Sequence, residues 1–325
     1  MTLQKLAELS GVSVSTVSKA FSGSRDIGKK TRERIFQLAK EHGCFDQYNK
    51  HRFEKNIIAV LCPEINTEYY WSTINCLMKY IEEAGALMTL SVTGFDSARE
   101  QELYTYYSAY CKADGIILID FWGNMSGDVL TPTVVIGSRK GWTEIDEVKF
   151  SLEDSMRETL SALKELGHVN IGFAGELLTE RKQTTFEQTA RELAISIDDT
   201  KIKISKKRFE DAGKENVRAW INENTLPTAI IAAYDDIAIG VMKELYQNGY
   251  RVPEDVSVVG MDDITVSTFL EPSLSSIHFP KEEICREAVA LIIKKIENQY
   301  YRSRHTTVIP TRFIPRDSIA KNHID

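Results

Sequence analysis

The 325-residue chain is notable first for what it lacks. No apolar run approaches the roughly 18 to 20 residues of a membrane span, and the N-terminus is amphipathic where an export signal would be charged and then apolar. A membrane protein and an exported one are both excluded by this reading, which places the chain in the cytoplasm. Its five cysteines, at 44, 62, 76, 111 and 285, are odd in number and scattered, with no Cys-x-x-Cys pair. That spacing offers neither a disulfide framework nor a zinc site. Catalytic motifs are missing too: there is no G-x-S-x-G elbow, no His-Glu-x-x-His and no dinucleotide fingerprint. The nearest echo, GSRDIGKKT at 23–31, puts Lys30 where a phosphate loop needs Ser or Thr to hold magnesium, and no apolar strand precedes it. Among the six histidines, His168 sits in a helix-to-strand turn and reads as structural. The chain is therefore not expected to be an enzyme, nor to carry a cofactor or a metal.

What is present begins at residue 3. In LQKLAELSGVSVSTVSKAFS (3–22), Leu3, Leu6 and Ala7 share one helical face at i, i+3, i+4 spacing, and Gly11 breaks the pattern where the chain must turn. Ser13 has the position of an N-cap for a second helix, whose Val17, Ala20 and Phe21 form the inward stripe. This leaves Val14, Ser15, Ser18 and Lys19 facing outward. Hydroxyls bond to bases or backbone, valine and threonine methyls touch the thymine methyl, and lysine reaches guanine or phosphate, so the set suits a DNA major groove. A third amphipathic helix is predicted from Lys29 to His42 on the spacing of Ile35, Leu38 and Ala39. In this helix-turn-helix head the DNA-facing candidates are Ser13, Val14, Ser15, Thr16, Lys19, Ser22 and Thr31.

Charge supports the assignment. Residues 1–50 hold nine Lys and Arg against five acids, a balance of +4, whereas the whole chain is −7 and the remainder therefore −11. A basic head on an acidic body concentrates phosphate affinity in one place and predicts binding that weakens steeply with salt.

From about Asn56 onward, short apolar runs alternate with longer helical segments. Strands are predicted at 57–62, 87–92, 115–120, 133–137, 171–175, 229–234 and 256–261. Uninterrupted apolar strands between helices indicate parallel sheets covered on both faces. About 270 residues of this pattern exceed one open sheet of usual size, so two α/β lobes are expected.

The segment GVSVSTVSKAFSGS followed by KKTRERI resembles the DNA-binding head of the lac repressor (LacI/GalR) family of bacterial regulators. The resemblance continues through LGHVNIGFAG (166–175), TAIIAAYDDIAIG (228–240), RVPEDVSVVGMDD (251–263) and IPTRFIPRDS (309–318), and so spans nearly the whole chain in order. It implies a head at 1–45, a hinge at 46–55, and a two-lobed core at 56–325 similar to periplasmic binding proteins. The first lobe would take about 56–150 and 280–307 and the second about 151–279 and 308–325, with crossings near Ser151, His278 and Val308. It further implies a homodimer that grips a near-palindromic operator in double-stranded DNA, a repressor switched by a small sugar-like effector.

In open α/β sheets ligands sit beyond the carboxyl ends of the strands. That rule selects Tyr69 and Tyr70, Asp120 to Trp122, Tyr234, Asp235 and Asp262. Carboxylates accept paired hydroxyls and aromatic faces pack on C–H surfaces, which suits a polyhydroxylated ligand. The resemblance supports Asp262 and Tyr70 and adds Lys182, at a position usually held by a ligand-gripping arginine, and Phe209 as a stacking ring. This chain also departs from the family. Tyr234-Asp235 replaces the usual Asn-Asp, and a loop about three residues short between Gly175 and Phe186 leaves Arg181 as an alternative to Lys182. In the hinge, FDQYNKHRFEK (45–55) lacks the family's alanine-arginine pattern and its wedging leucine. Phe53 is the candidate wedge. The alternative is that Phe53 packs on the core and that Lys50, His51 and Arg52 make only phosphate contacts. Two further readings stay open: a core that answers to a partner protein or to no small ligand, and a core that carries sugar chemistry. The second needs paired catalytic carboxylates or a phosphate loop, and neither is legible.

Overall fold

The computed structural model describes residues 1–22, 24, 26–48, 55–111, 113–120, 131–137, 145–298 and 303–323. The chain divides into two compact units, Met1–Asn56 and Ile57–Asp325. Phe53, Trp122 and the hinge residues Lys50, His51 and Arg52 lie outside the described residues.

The first unit is a small helical head. Helix α1 (Leu3–Ser10) is opened by Thr2, whose hydroxyl accepts the Lys5 N–H, and is closed by Gly11 at φ 66°, whose N–H returns to the carbonyls of Ala7 and Glu8. Only a residue without Cβ holds that left-handed conformation at no steric cost, so the turn is fixed by one glycine. Ser13 then opens α2 (Val14–Phe21): its Oγ accepts the Thr16 N–H at 3.1 Å and lies 2.8 Å from Thr16 Oγ1. Helix α3 is Lys29–Glu41, followed by a single helical turn, α4 (Phe45–Tyr48). Leu6, Ala7, Val17, Ala20, Phe21, Ile35, Ala39 and Cys44 are buried together, with Leu3, Leu38 and Phe36 against them. Phe45 and Tyr48 join this core, their rings 6.0 and 5.9 Å from that of Phe21, and Tyr48 Oη donates to the Met1 carbonyl at 2.6 Å. The sequence reading assigned Phe45 onward to the linker. The structure corrects that, because two aromatic rings find a hydrophobic cleft between α2 and α3. Removing the α2 cap in Ser13→Ala should cost about 1 kcal/mol of local stability. Faster hydrogen exchange at the first α2 amides of the full chain would register it.

The second unit contains two six-stranded sheets. In the first, β1 (Ile57–Cys62), β2 (Leu87–Val92), β3 (Gly115–Ile119), β4 (Thr133–Ile136), β5 (Asp146–Ser151) and β11 (Thr306–Pro310) lie in the order β11-β5-β4-β3-β1-β2. Every pairing in it is parallel. Helices α5 (Glu68–Glu83) and α11 (Lys281–Glu297) cover one face, while α6 (Ser97–Thr105), continued by a π-helical turn at Tyr106–Tyr110, covers the other. The second sheet holds β6 (Ile171–Glu176), β7 (Ile202–Ser205), β8 (Ala229–Ala232), β9 (Ser257–Asp262), β10 (Ser275–His278) and β12 (Arg312–Ile314), in the order β12-β10-β9-β8-β6-β7. Only β12 runs antiparallel, against β10. Helices α7 (Glu153–Glu165), α8 (Glu180–Glu192), α9 (Phe209–Glu223) and α10 (Asp235–Gln247) pack on it. Where α9 meets α10, a Cβ at Gly213 would stand 2.1 Å from the Ile237 carbonyl oxygen, and one at Gly240 would stand 2.0 Å from that of Glu210. Two glycines thus let the helix backbones touch.

The chain passes between the sheets after β5, between β10 and α11, and between β11 and β12. The last passage falls at Thr311, three residues beyond the predicted Val308, because Val308, Ile309 and Pro310 extend the first sheet opposite Lys149, Phe150 and Ser151. Thr311 Oγ1 donates to the Ser151 carbonyl at 2.7 Å and sits 2.5 Å from Ser155 Oγ, tying two passages together. His168 is structural as read: its ring nitrogens lie 3.0 Å from Thr228 Oγ1 and from the Ala320 carbonyl, and burial lowers its pKa. Among the described residues no helix is long and apolar enough to cross a membrane.

Candidate functional site

Two surfaces carry the candidate functional residues, one in each unit. On the head, Ser13, Val14, Ser15, Ser18, Lys19 and Ser22 are exposed, while Thr16 and Thr31 are half-buried. Val14 is 42% exposed, so its methyls are open to contact from outside. The hydroxyls of Ser13 and Thr16 are committed to capping α2, and Ser22 Oγ donates to the Lys19 carbonyl at 3.2 Å. Lys19 Nζ lies 3.3 Å from Asp26 Oδ2 in an exposed pair, worth well under 1 kcal/mol and readily exchanged for a phosphate or a guanine. Val14, Ser15, Ser18 and Lys19 therefore form the free outward face, with Ser13 and Thr16 setting its direction.

In the second unit the carboxyl ends of both sheets open onto a shared cavity of ≈ 310 Å³. Glu64 and Tyr70 follow β1, Asp120 follows β3, Arg208 follows β7, Tyr234 follows β8, and Asp262 ends β9. Several of these strand ends are bent sharply. Phe95, Asp120 and Asp262 line the cavity at φ 60°, 46° and 98°, in the left-handed region that non-glycine residues enter at a cost, and such costs cluster at functional sites. Asp120 takes a hydrogen bond from Tyr70 Oη at 3.1 Å, and burial raises its carboxyl to about 6 against the pull of that donor. Asp262 accepts from Lys182 Nζ at 3.2 Å, and burial raises its pKa as well. Lys182 also donates to the Ala233 carbonyl at 2.7 Å, with its ammonium 5.2 and 5.7 Å from the ring centres of Phe279 and Tyr234.

The two sheets are bridged across this cavity. Arg208 Nη1 and Nη2 grip Glu64 at 2.8 and 2.9 Å, and the guanidinium lies between the rings of Phe95 at 4.9 Å and Phe209 at 4.5 Å. Beyond it, Thr265 donates through both N–H and Oγ1 to Glu68 Oε1, at 2.8 and 2.5 Å. A planar fork stacked on both sides and chelated by one carboxylate is a rigid device.

Of the residues predicted for this site, Tyr69, Tyr70, Asp120, Lys182, Tyr234 and Asp262 line the cavity, as does the alternative Arg181. Two others do not. Asp235 is fully buried, and its carboxylate is consumed by the Ile264 N–H at 2.8 Å, Ser267 Oγ at 2.7 Å and Ser276 Oγ at 2.6 Å. It staples the start of α10 to the segments after β9 and, fully buried, does not reach the cavity. Phe209, at φ 58°, does not line the cavity: its ring lies 4.5 Å from the Arg208 guanidinium, and its N–H donates to Tyr234 Oη. Residues the sequence reading missed are Glu64, Phe95, Glu176, Arg208 and Asp236. Glu64 and Glu176 obey the strand-end rule and were available to it. Arg208 was hidden because β7, a short strand in which apolar and polar residues alternate, shows no uninterrupted apolar run. Among the described residues no group of three or more His, Cys, Asp or Glu is arranged to hold a metal.

Residues 2–44 match the family described as bacterial regulatory proteins, lacI family, and residues 160–319 match a periplasmic binding protein-like domain. The ribose operon repressor of Haemophilus influenzae is 27% identical over 334 residues, covering 98% of each chain. The transcriptional repressor CytR of Escherichia coli is 26% identical over 314 residues, covering 93% of this chain and 92% of its own. Among solved structures, the lac repressor dimer bound to operator and the anti-inducer ONPF shares the fold with a TM-score of 0.73 at 21% identity, covering 98% of this chain and 99% of that one. The complex of the transcriptional regulator CelR with cellobiose does so with a TM-score of 0.70 at 23% identity and the same coverage. A capped helix with an exposed face in a basic head, a two-sheet core with a cavity at its strand ends, and these full-length likenesses lead to one conclusion: the chain joins a lacI-family head at residues 2–44 to a periplasmic binding protein-like domain and is similar along its length to LacI-family transcriptional regulators.

Proposed function

We propose that this chain is a cytoplasmic repressor that binds a near-palindromic operator as a homodimer and is switched by a polyhydroxylated, sugar-like molecule held in the cavity between its two sheets. The cavity carries this reading: carboxylates at the ends of strands from both sheets face one another across aromatic walls, the chemistry that grips hydroxyls and C–H faces. Relatives named for a ribose operon and a neighbour complexed with cellobiose favour the same ligand class. A ligand touching both sheets alters their closure, and by linkage whatever alters closure alters operator affinity.

The homodimer is assigned to one face of the second sheet's lobe. Phe269 is 80% exposed and Tyr246 81%, beside a groove lined by Ile239, Met242, Leu270 and Pro272. Two such patches related by a two-fold axis would cover each other. On DNA, α2 enters the major groove with Val14, Ser15, Ser18 and Lys19 toward the bases, and a selection from random duplexes should return a sequence with two-fold symmetry. Lys19→Ala should weaken operator binding by about tenfold or more and reduce the salt slope by about one. Electrophoretic shifts at several salt concentrations measure both. Failure of the parent protein to select any duplex at modest ionic strength would sink the proposal.

A further inference from the structure

The charges lining the cavity do not balance. Glu64, Asp120, Glu176, Asp236 and Asp262 face Arg181, Lys182 and Arg208. Two of these cations are paired with carboxylates, Arg208 with Glu64, with Glu176 3.8 Å from its Nε, and Lys182 with Asp262, while the exposed Arg181 donates to the Phe150 carbonyl at 3.5 Å. Asp120 receives a hydrogen bond from the neutral Tyr70 hydroxyl, and the charges of Lys182 and Arg181 favour its ionised form. Asp236, the second residue of α10, has no hydrogen-bond donor among the described residues, and the charges acting on it, Glu210, Asp262, Glu68 and Glu64, are all negative. Its carboxyl is raised to about 6, first by burial and then by those neighbours. Lys182 and Arg181 offset Asp262 at Asp120, so the excess negative field centres on Asp236, in a cavity walled by Tyr69, Tyr70, Phe95 and Phe279.

Each ligand class meets this field differently. A sugar phosphate or sugar acid would meet, among the described residues, five carboxylates against three cations, two of those cations already paired. A neutral sugar would satisfy hydrogen bonds and leave the field as it is. A protonated amine would answer both the carboxylates and the electron-rich ring faces. We infer that the effector carries a cationic nitrogen that pairs with Asp236, the cavity carboxylate that has no donor among the described residues and only acids acting on it, which makes it an amino sugar or a comparable aminated polyol. This inference rests on the sugar-like reading of the cavity and narrows it.

Calorimetric titration of the full chain near pH 7.5 with matched sets tests it: glucose, glucosamine, N-acetylglucosamine and glucose 6-phosphate, and the galactose counterparts. The amine of one set should bind at least about tenfold more tightly than its neutral and acetylated partners, with the phosphate weakest. A neutral, acetylated or phosphorylated member binding as well as the amine overturns the inference and leaves the sugar-like reading standing. Binding by no member overturns both. Asp236→Asn supplies a test that needs no ligand. An aspartate whose folded pKa lies above its unfolded one destabilises the fold once pH exceeds about 6 and has no effect below about 4. The variant should therefore raise Tm by a few degrees near pH 7.5 and leave it unmoved near pH 4, and it should bring amine and neutral sugar closer in affinity. An unchanged Tm near pH 7.5, or an amine preference that survives the substitution, counts against the assignment.

Discussion

Asp262→Ala is expected to abolish the effector response, with effector affinity falling by about 100-fold or more. Asp262 is the last residue of β9, only 8% exposed, and held at φ 98° so that its carboxylate faces the cavity and not the next turn of chain. It accepts from Lys182, itself only 22% exposed at the side chain, so one deletion removes a ligand acceptor and strands a cation. Hydrogen bonds to a charged group are worth about 1.5 to 3 kcal/mol each, so an effector that loses two hydroxyl bonds to this carboxylate falls out of its working range. The fold should survive. Asp262 adds negative field at Asp120, Asp235 and Asp236, so its loss relieves repulsion that offsets part of the damage at Lys182. Asp262→Asn keeps the shape and a carbonyl acceptor while discarding the charge, and should fall between parent and alanine variant. Effector affinity by calorimetry, with operator shifts at saturating effector, separates these cases. Parent-like effector binding in the alanine variant would remove Asp262 from the site.

How much of this was legible in the sequence depends on which physical signal each element carried. The head was legible almost residue by residue, because helix stripes, a serine cap and a glycine turn are local signals: Leu6, Ala7, Val17, Ala20 and Phe21 are buried, and Ser13 caps. Its end was not, since Phe45 and Tyr48 are fixed by packing against Phe21 and Phe36, which no local pattern announces. In the core, the seven apolar runs became β1, β2, β3, β4, β6, β8 and β9. The five unpredicted strands, β5, β7, β10, β11 and β12, include three of the four sheet edges and carry charged or hydroxyl residues, as in DEVKFS, IKIS and SSIH. Partly solvated strands lack the uninterrupted apolar run that reveals a central one. The same limit decided the cavity. Tyr70, Asp120 and Asp262 follow legible strands, whereas Arg208 follows one that was not. Between the adjacent Asp235 and Asp236, which carboxylate faces the cavity is set by three donors contributed from Ile264, Ser267 and Ser276, and by Gly260, where a Cβ would stand 2.0 Å from Asp235 Oδ1. Tertiary partners of that kind cannot be read from two consecutive aspartates.

Phe269→Asp should yield a monomer and with it a loss of operator affinity exceeding 100-fold. An exposed phenylalanine beside Tyr246 and the 41%-exposed Val266 leaves apolar area that a folded single chain does not cover. Burying one such ring is worth about 1.5 to 3 kcal/mol, and a two-fold axis counts it twice. An aspartate in each of the two equivalent places replaces that gain with desolvation of two carboxylates. Because Phe269 packs against little of its own chain, the substitution removes no core contact, and thermal unfolding of the monomer should stay close to the parent's apart from the lost contribution of association. Operator binding would suffer for a reason that involves no DNA contact. Two linked heads bind the second half-site as an intramolecular event, at an effective concentration far above that of free protein, and a monomer forfeits this. Sedimentation velocity at micromolar protein, paired with operator shifts, distinguishes the outcomes. A Phe269→Asp protein that still sediments as a dimer places the interface elsewhere, and a monomer that keeps full operator affinity would separate DNA recognition from two-fold symmetry altogether.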